Sequence, residues 1–240
     1  RHEIVTADVL SSDEAFETFP TFSPDGKSLY FCSSAAVGPM PEKFREAKYS
    51  LCRVDFNPEY CSFGTQVDTL YNARTGGRSV SFPRISPDGR FLVYALSDYG
   101  NFSIWHKDSD LYSIDLRTGE TSCMEALNSS DVESYHSWSG NSRWVVFSTR
   151  RTDGDYTRLC LGYIAPDGTL GKAFMLPQRD PEQNMRLMKS YNIPEFATGK
   201  ISPKGYDVRN ASDSYQVEFA GSYRPEEVDA ATGASTVSVN

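Results

Sequence analysis

Phe82-Pro83-Arg84-Ile85-Ser86-Pro87-Asp88-Gly89-Arg90-Phe91-Leu92-Val93-Tyr94 reads as strand, tight turn, strand. In Ser-Pro-Asp-Gly, proline presets φ at the second turn position and glycine accepts a positive φ at the fourth. Apolar and β-branched residues on both sides favour a pleated, buried setting. The chain carries a second close copy, Phe19-Pro20-Thr21-Phe22-Ser23-Pro24-Asp25-Gly26-Lys27-Ser28-Leu29-Tyr30-Phe31. A worn third copy is Tyr135-His136-Ser137-Trp138-Ser139-Gly140-Asn141-Ser142-Arg143-Trp144-Val145-Val146-Phe147, with Gly-Asn-Ser where Pro-Asp-Gly stands elsewhere. The copies begin 63 and then 53 residues apart, counted from Phe19, Phe82 and Tyr135.

Each hairpin is followed by two further strand-like segments. In the middle unit, Asp110-Leu111-Tyr112-Ser113-Ile114-Asp115-Leu116 leads through Arg117-Thr118-Gly119-Glu120 to a fourth segment near Thr121. In the third unit, Arg158-Leu159-Cys160-Leu161-Gly162-Tyr163-Ile164 turns at Ala165-Pro166-Asp167-Gly168 toward Phe174-Met175-Leu176. Four short strands per repeat predict an all-β chain of antiparallel four-stranded blades, a β-propeller. A lone blade cannot cover both of its faces, so neighbours must stack. The expected division is 1–11 as the outer strand of a preceding blade, then blades over 12–72, 73–130 and 131–177. Residues 178–240 form a partly irregular C-terminal extension. One or two helical turns are expected within 180–189, and strands at 206–208 and 215–219. Propellers have about 4–8 blades, so the expectation is the C-terminal part of a larger propeller.

Bulk chemistry excludes several functions. The net charge of −8 and the lack of a basic stripe argue against nucleic acid as a partner, since phosphate contacts need clustered Lys and Arg. No run approaches the about 20 apolar residues of a membrane span. Cys32, Cys52, Cys61, Cys123 and Cys160 form no C-x-x-C pair, so zinc, haem attachment and thioredoxin chemistry lack their usual spacing. Cys52 and Cys61 flank a turn at Asn57-Pro58-Glu59, which leaves open a cross-hairpin disulfide or two reduced, buried thiols.

The hairpins and the Asp110–Glu120 string resemble the repeats of TolB-like β-propellers over about residues 16–177. Ile104-Trp105-His106-Lys107-Asp108-Ser109-Asp110-Leu111-Tyr112 and Lys189-Ser190-Tyr191-Asn192-Ile193-Pro194-Glu195-Phe196 are similar to strings from TolB-like proteins of Bacteroidetes. Some of these are labelled cytochrome c biosynthesis proteins, but no C-x-x-C-H haem site occurs here. The resemblance implies an extracytoplasmic module of the periplasm or outer membrane that binds a protein or envelope component. It also implies that the Ser-Pro-Asp-Gly residues are structural.

The catalytic signals are thin. No G-x-S-x-G elbow occurs, and the histidines are His2, His106 and His136, so a nucleophile–base–acid set has few candidates. His136, on an innermost strand, reads as a structural imidazole or a channel-lining base. His106, Asp108 and Asp110 are the candidate metal ligands, imidazole and carboxylates gathered on one loop. Asp110 has the competing role of fixing the start of its strand. No cofactor is implied. The loop-rich segment after the second strand of the middle blade carries Tyr99, Phe102, Trp105 and His106, and the matching segment of the next blade carries Arg150, Arg151 and Tyr156. Tyr, Trp and Arg are enriched at interfaces, so these seven residues are the expected binding surface, with inter-blade packing as the alternative for the aromatics. The leading expectation is a non-enzymatic binding module for a protein or glycan. The alternative is the propeller of an enzyme, either a prolyl-oligopeptidase-type gate or a metal-dependent polysaccharide lyase.

Overall fold

The computed structural model describes residues 7, 9–10, 14–39 and 42–214. His2, nearly all of the expected leading strand and the expected strand at 215–219 lie outside the described residues. Residues 9–196 form one compact unit, built of three antiparallel four-stranded sheets. The first contains β1 (Ala15–Phe22), β2 (Ser28–Ala35), β3 (Ser50–Asn57) and β4 (Ser62–Tyr71). The second contains β5 (Ser79–Ile85), β6 (Phe91–Ser97), β7 (Asp110–Asp115) and β8 (Thr121–Cys123). The third contains β9 (Glu133–Trp138), β10 (Trp144–Thr149), β11 (Arg158–Tyr163) and β12 (Phe174–Met175). Each sheet keeps its strands in sequence order. The first strands β1, β5 and β9 adjoin one another. The three sheets are blades of a β-propeller.

The stacking follows from the two-residue period of a strand, which sends alternate side chains to opposite faces. Leu92, Tyr94 and Leu96 of β6 join Tyr30, Cys32 and Leu51 in one inter-blade core. Phe91, Val93 and Ala95 of the same strand join Val145, Phe147 and Cys160 in the next. This is why β6 is apolar almost without interruption and buried from end to end. The far face of the first blade gathers Leu29, Phe31, Cys52 and Val54 against Val9 and Leu10.

All three hairpin turns have the same hydrogen bonds, including the worn one. The serine hydroxyl donates to the acidic or amide side chain two residues on, at 2.6 Å from Ser23 to Asp25 and from Ser86 to Asp88, and 2.7 Å from Ser139 to Asn141. The same hydroxyl accepts the backbone N–H five residues on, from Ser28, Phe91 and Trp144. Asn141 supplies the acceptor oxygen that Asp supplies elsewhere, and Ser142 takes φ +59° where Gly26 and Gly89 stand. Its hydroxyl also accepts the Asp88 N–H at 2.9 Å, which ties the second blade to the third.

One open alternative is settled and one expectation is corrected. Cys52 and Cys61 are both free. Cys52 is buried opposite Thr69, whereas Cys61 lies in the turn just before Ser62, which pairs with Asn57, so the two do not face each other. Residues 206–208 are not a strand but part of a helix, Gly205–Ser214, in a second unit that includes residues 197–214. The Asp207 carboxylate accepts the Lys204 backbone N–H at 2.7 Å, the backward half of a capping box at the start of the helix. A single helical turn, Gln183–Arg186, occupies the segment where one or two were expected.

Arg158, on β11, is 1% exposed and fixes the chain beyond the third blade. Its guanidinium donates to the carbonyls of Asn184 (2.7 Å), Leu187 (2.9 Å) and Lys189 (2.9 Å) and to the Asp153 carboxylate (3.2 Å). Ser137 donates to the Pro194 carbonyl, and both Ser148 and Thr157 to that of Tyr191. Residues 184–194 are thus strapped across β9, β10 and β11.

Candidate functional site

The segment between β6 and β7 is a loop anchored by inward-facing polar residues, Asn101, Ser103 and His106. Ser103, at the start of the 3-10 turn Ser103–Trp105, is buried between the Ser81 and Ser134 hydroxyls at 3.2 and 3.4 Å. Asn101 donates to the Phe44 carbonyl, and the Gly100 N–H to that of Ala47. Gly100 lies flat on the Tyr49 ring, where a Cβ would fall 2.1 Å from a ring carbon, so no larger residue fits there. His106 is buried beneath Tyr99, with ring centroids 4.0 Å apart. Burial pulls the His106 pKa down, against the opposing pull of the Asp108 carboxylate.

Anchored in this way, the loop turns two aromatics outward. Phe102 is 74% exposed and Trp105 64%, and Phe102 holds φ +55°. A bulky side chain in that region is a real outlier, and such strain persists only where the surroundings enforce it. Behind Trp105 lies Arg150, whose guanidinium carbon is 5.2 Å from the indole centroid and which donates to the Trp105 carbonyl. Arg150 is itself buried against the Asp131 carboxylate at 3.3 Å. The indole therefore has one face on a fixed cation and the other toward solvent, a cation–π arrangement that limits its motion.

The remaining expected binding residues are placed differently. Arg151 points inward, donating to the Leu127 carbonyl and to Glu133 at 2.9 Å. Glu133 is fully buried and also accepts from Ser129 and Thr149. Burial raises its pKa, and those hydrogen bonds oppose the rise. Tyr156 packs over the Arg158 guanidinium at 5.3 Å, and Tyr99 against Phe44 and His106. Of the seven residues, only Phe102 and Trp105 present most of their surface to solvent.

The three metal candidates are not gathered around a common point. Asp108 binds Arg78 and accepts the Asp98 N–H. Asp110 starts β7 opposite Leu96, half-buried, with its pKa raised by burial. Among the described residues no three His, Cys, Asp or Glu side chains converge as a metal site would require. His136 is a structural imidazole. It is buried and bonded through Nε2 to the Val93 carbonyl at 2.9 Å, and burial lowers its pKa to about 4.

One feature of the innermost strands has no counterpart in the sequence-based expectations. Phe19, Phe82 and Tyr135, the first residue of each repeat copy, all hold φ between +50° and +53°. Each lies at a break in strand register. Their rings form a ladder from blade to blade, with centroids 4.2 and 4.8 Å apart. The recurrence of an aromatic at that position was the available signal.

No family model matches the sequence, and no curated protein does. Solved structures do show a likeness. TolB from Acinetobacter baumannii is 18% identical over 68% of this chain and 33% of its own, with a TM-score of 0.45. The β-propeller domain of the trilobed protease from Pyrococcus furiosus is 16% identical over 70% and 45%, with a TM-score of 0.41. Puromycin hydrolase is 19% identical over 69% and 23%, with a TM-score of 0.48. The chain thus spans less than half the length of each. The assignment of fold rests on the three sheets and their shared turn chemistry.

Proposed function

We propose that this chain is a non-enzymatic binding module of the cell envelope, engaging a protein or glycan through its blade loops. The observation that carries the reading is the pair Phe102 and Trp105. Two large aromatics stand exposed on a loop whose inward groups fix its backbone, and Arg150 backs one of them. An ordered aromatic loses little side-chain entropy on docking, which is why Trp and Tyr dominate interface hot spots. No helix among the described residues is long and apolar enough to cross a membrane, and the extracytoplasmic placement is part of this proposal.

The test is photo-crosslinking from position 102 in intact envelopes, together with a glycan array, each run on the parent and on Trp105→Ala. Loss of the crosslinked band or the glycan signal in Trp105→Ala, at unchanged Tm, is the expected result. Equal capture by both proteins would remove this loop from the binding surface.

A further inference from the structure

Ile193 is also a non-glycine residue with positive φ, at +52°. It begins Ile193-Pro194-Glu195-Phe196, which lines up with Phe19-Pro20-Thr21-Phe22, Phe82-Pro83-Arg84-Ile85 and Tyr135-His136-Ser137-Trp138. Ile193 follows Tyr135 by 58 residues, between the two earlier spacings.

The docking contacts repeat as well. Two residues before the positive-φ position, the backbone N–H donates to the carbonyl just ahead of the previous blade's third strand. Val80 donates to Tyr49, Glu133 to Ser109 and Tyr191 to Thr157, at 2.9, 2.8 and 3.2 Å. One residue earlier, the Ser79 hydroxyl accepts the Tyr49 N–H, and the Ser190 hydroxyl accepts the Thr157 N–H. Residues 190–196 therefore sit on the third blade as β5 sits on the first and β9 on the second.

What those strands have and this one lacks is a partner. β5 pairs with β6 and β9 with β10, whereas no strand among the described residues pairs with 190–196. Along an antiparallel strand, backbone groups point alternately to either edge. Since the Tyr191 N–H is turned to Thr157, the backbone groups of Ser190 and Asn192 face the open edge. Burial records the same gap. Ser79 and Ser81 are fully buried, while Ser190 and Asn192 are exposed, and Ile193 is 60% exposed. Leu159, which pairs with Ser148 as Leu51 pairs with Cys32 and Leu111 with Ala95, is half-buried. Its two counterparts are fully buried.

We propose that residues 190–196 are the inner strand of a fourth blade, and that their open edge receives an extended strand from another polypeptide. In the completed blades a four-residue turn returns the chain as the second strand. Here the described residues after Phe196 make no ladder and pass into the helix Gly205–Ser214. The incoming strand would run antiparallel, pair its backbone with Ser190 and Asn192, and set alternate apolar side chains on Val146, Leu159 and Leu161. This is strand addition, in which backbone hydrogen bonds supply affinity and alternate side chains supply selectivity.

The probe is a labelled peptide with the sequence of residues 90–98, the segment that occupies the equivalent edge of the second blade. With the full chain, anisotropy is expected to show saturable binding. The Ser190 and Asn192 amides, fast-exchanging in the free protein, become protected when the peptide binds. N-methylation of alternate peptide amides, or Leu161→Asp in the protein, weakens binding by about ten-fold or more. Trp105→Ala leaves it unchanged, which separates this edge from the aromatic loop. Absence of saturable binding, or equal binding of the N-methylated peptide, overturns the proposal. So does protection of both amides in the free chain, which would mean that the chain's own residues fill the edge.

Discussion

Acid should loosen this protein through His136. The imidazole is buried at the proline position of the third repeat copy, where Nε2 donates to the Val93 carbonyl and Nδ1 has no hydrogen-bond partner. Burial, with the Arg84 charge, outweighs the Val93 and Phe82 backbone groups that favour the charged ring, and holds the folded pKa near 4 against 6.5 unfolded. Between those values the unfolded chain binds the proton and the folded chain does not, so stability falls as the pH falls. The full gap is worth about 3 kcal/mol. At pH 5 the expected loss relative to pH 7 is about 2 kcal/mol, and it is complete below about pH 4. His106, also depressed by burial, contributes in the same direction. Glu133 and Asp110, whose pKa values are raised, contribute in the opposite one. The clean readout is therefore a difference. Urea unfolding at pH 7 and pH 5 is compared between the parent and His136→Gln, whose amide can still donate to Val93 but does not titrate. The variant should lose about 2 kcal/mol less than the parent over that interval. Equal losses in the two proteins would refute the assignment of the acid sensitivity to this imidazole.

Arg158→Met removes the donor that serves three carbonyls of the strap, and a buried group left unsatisfied costs about 1–3 kcal/mol. The expected result is a loss of about 3 kcal/mol in urea unfolding, with new proteolytic cleavage confined to residues 183–191. Ser142→Ala loses the bond from the Asp88 N–H while keeping the positive φ, for an expected cost of about 1 kcal/mol. Ser142→Gly loses the same bond but relieves about 1 kcal/mol of backbone strain, so its midpoint should stay close to the parent's.

The blades were legible because their turns demand particular residues. Proline, an Asx-type acceptor and a residue able to take positive φ recur at fixed offsets, and strands must occupy the space between. The third copy shows how far this tolerates wear, since Asn141 accepts the same bonds as Asp88 and Ser142 bears the φ that Gly89 takes freely. The ladder of Phe19, Phe82 and Tyr135 was not legible in the same way. Local sterics argue against an aromatic at positive φ, and only ring contacts between blades, which no single repeat contains, hold it there. Arg150, Arg151 and Arg158 were hidden for a related reason. A charged residue beside a turn reads as solvated until its buried partners Asp131, Glu133 and the strap carbonyls are in place.

The loop between β6 and β7 divides its residues in a way that packing alone does not explain. Ser103, Ile104 and His106 are buried, with Asn101 bonded to the neighbouring blade, while Phe102 and Trp105 at a spacing of three face outward. The hydrophobic effect favours the reverse arrangement, since burying a large aromatic stabilises by about 1.5–3 kcal/mol relative to exposure. Polar groups can occupy the interior here because the Ser81 and Ser134 hydroxyls and the Phe44 carbonyl meet the Ser103 hydroxyl and the Asn101 amide. The outward aromatics then remain uncompensated in the free chain, and a partner that covers them would restore the missing burial. The same reasoning applies to Ile193, on the proposed inner strand, and to half-buried Leu159 on β11 of the third blade. In both places the molecule leaves apolar surface uncovered on a backbone that its own hydrogen bonds already hold.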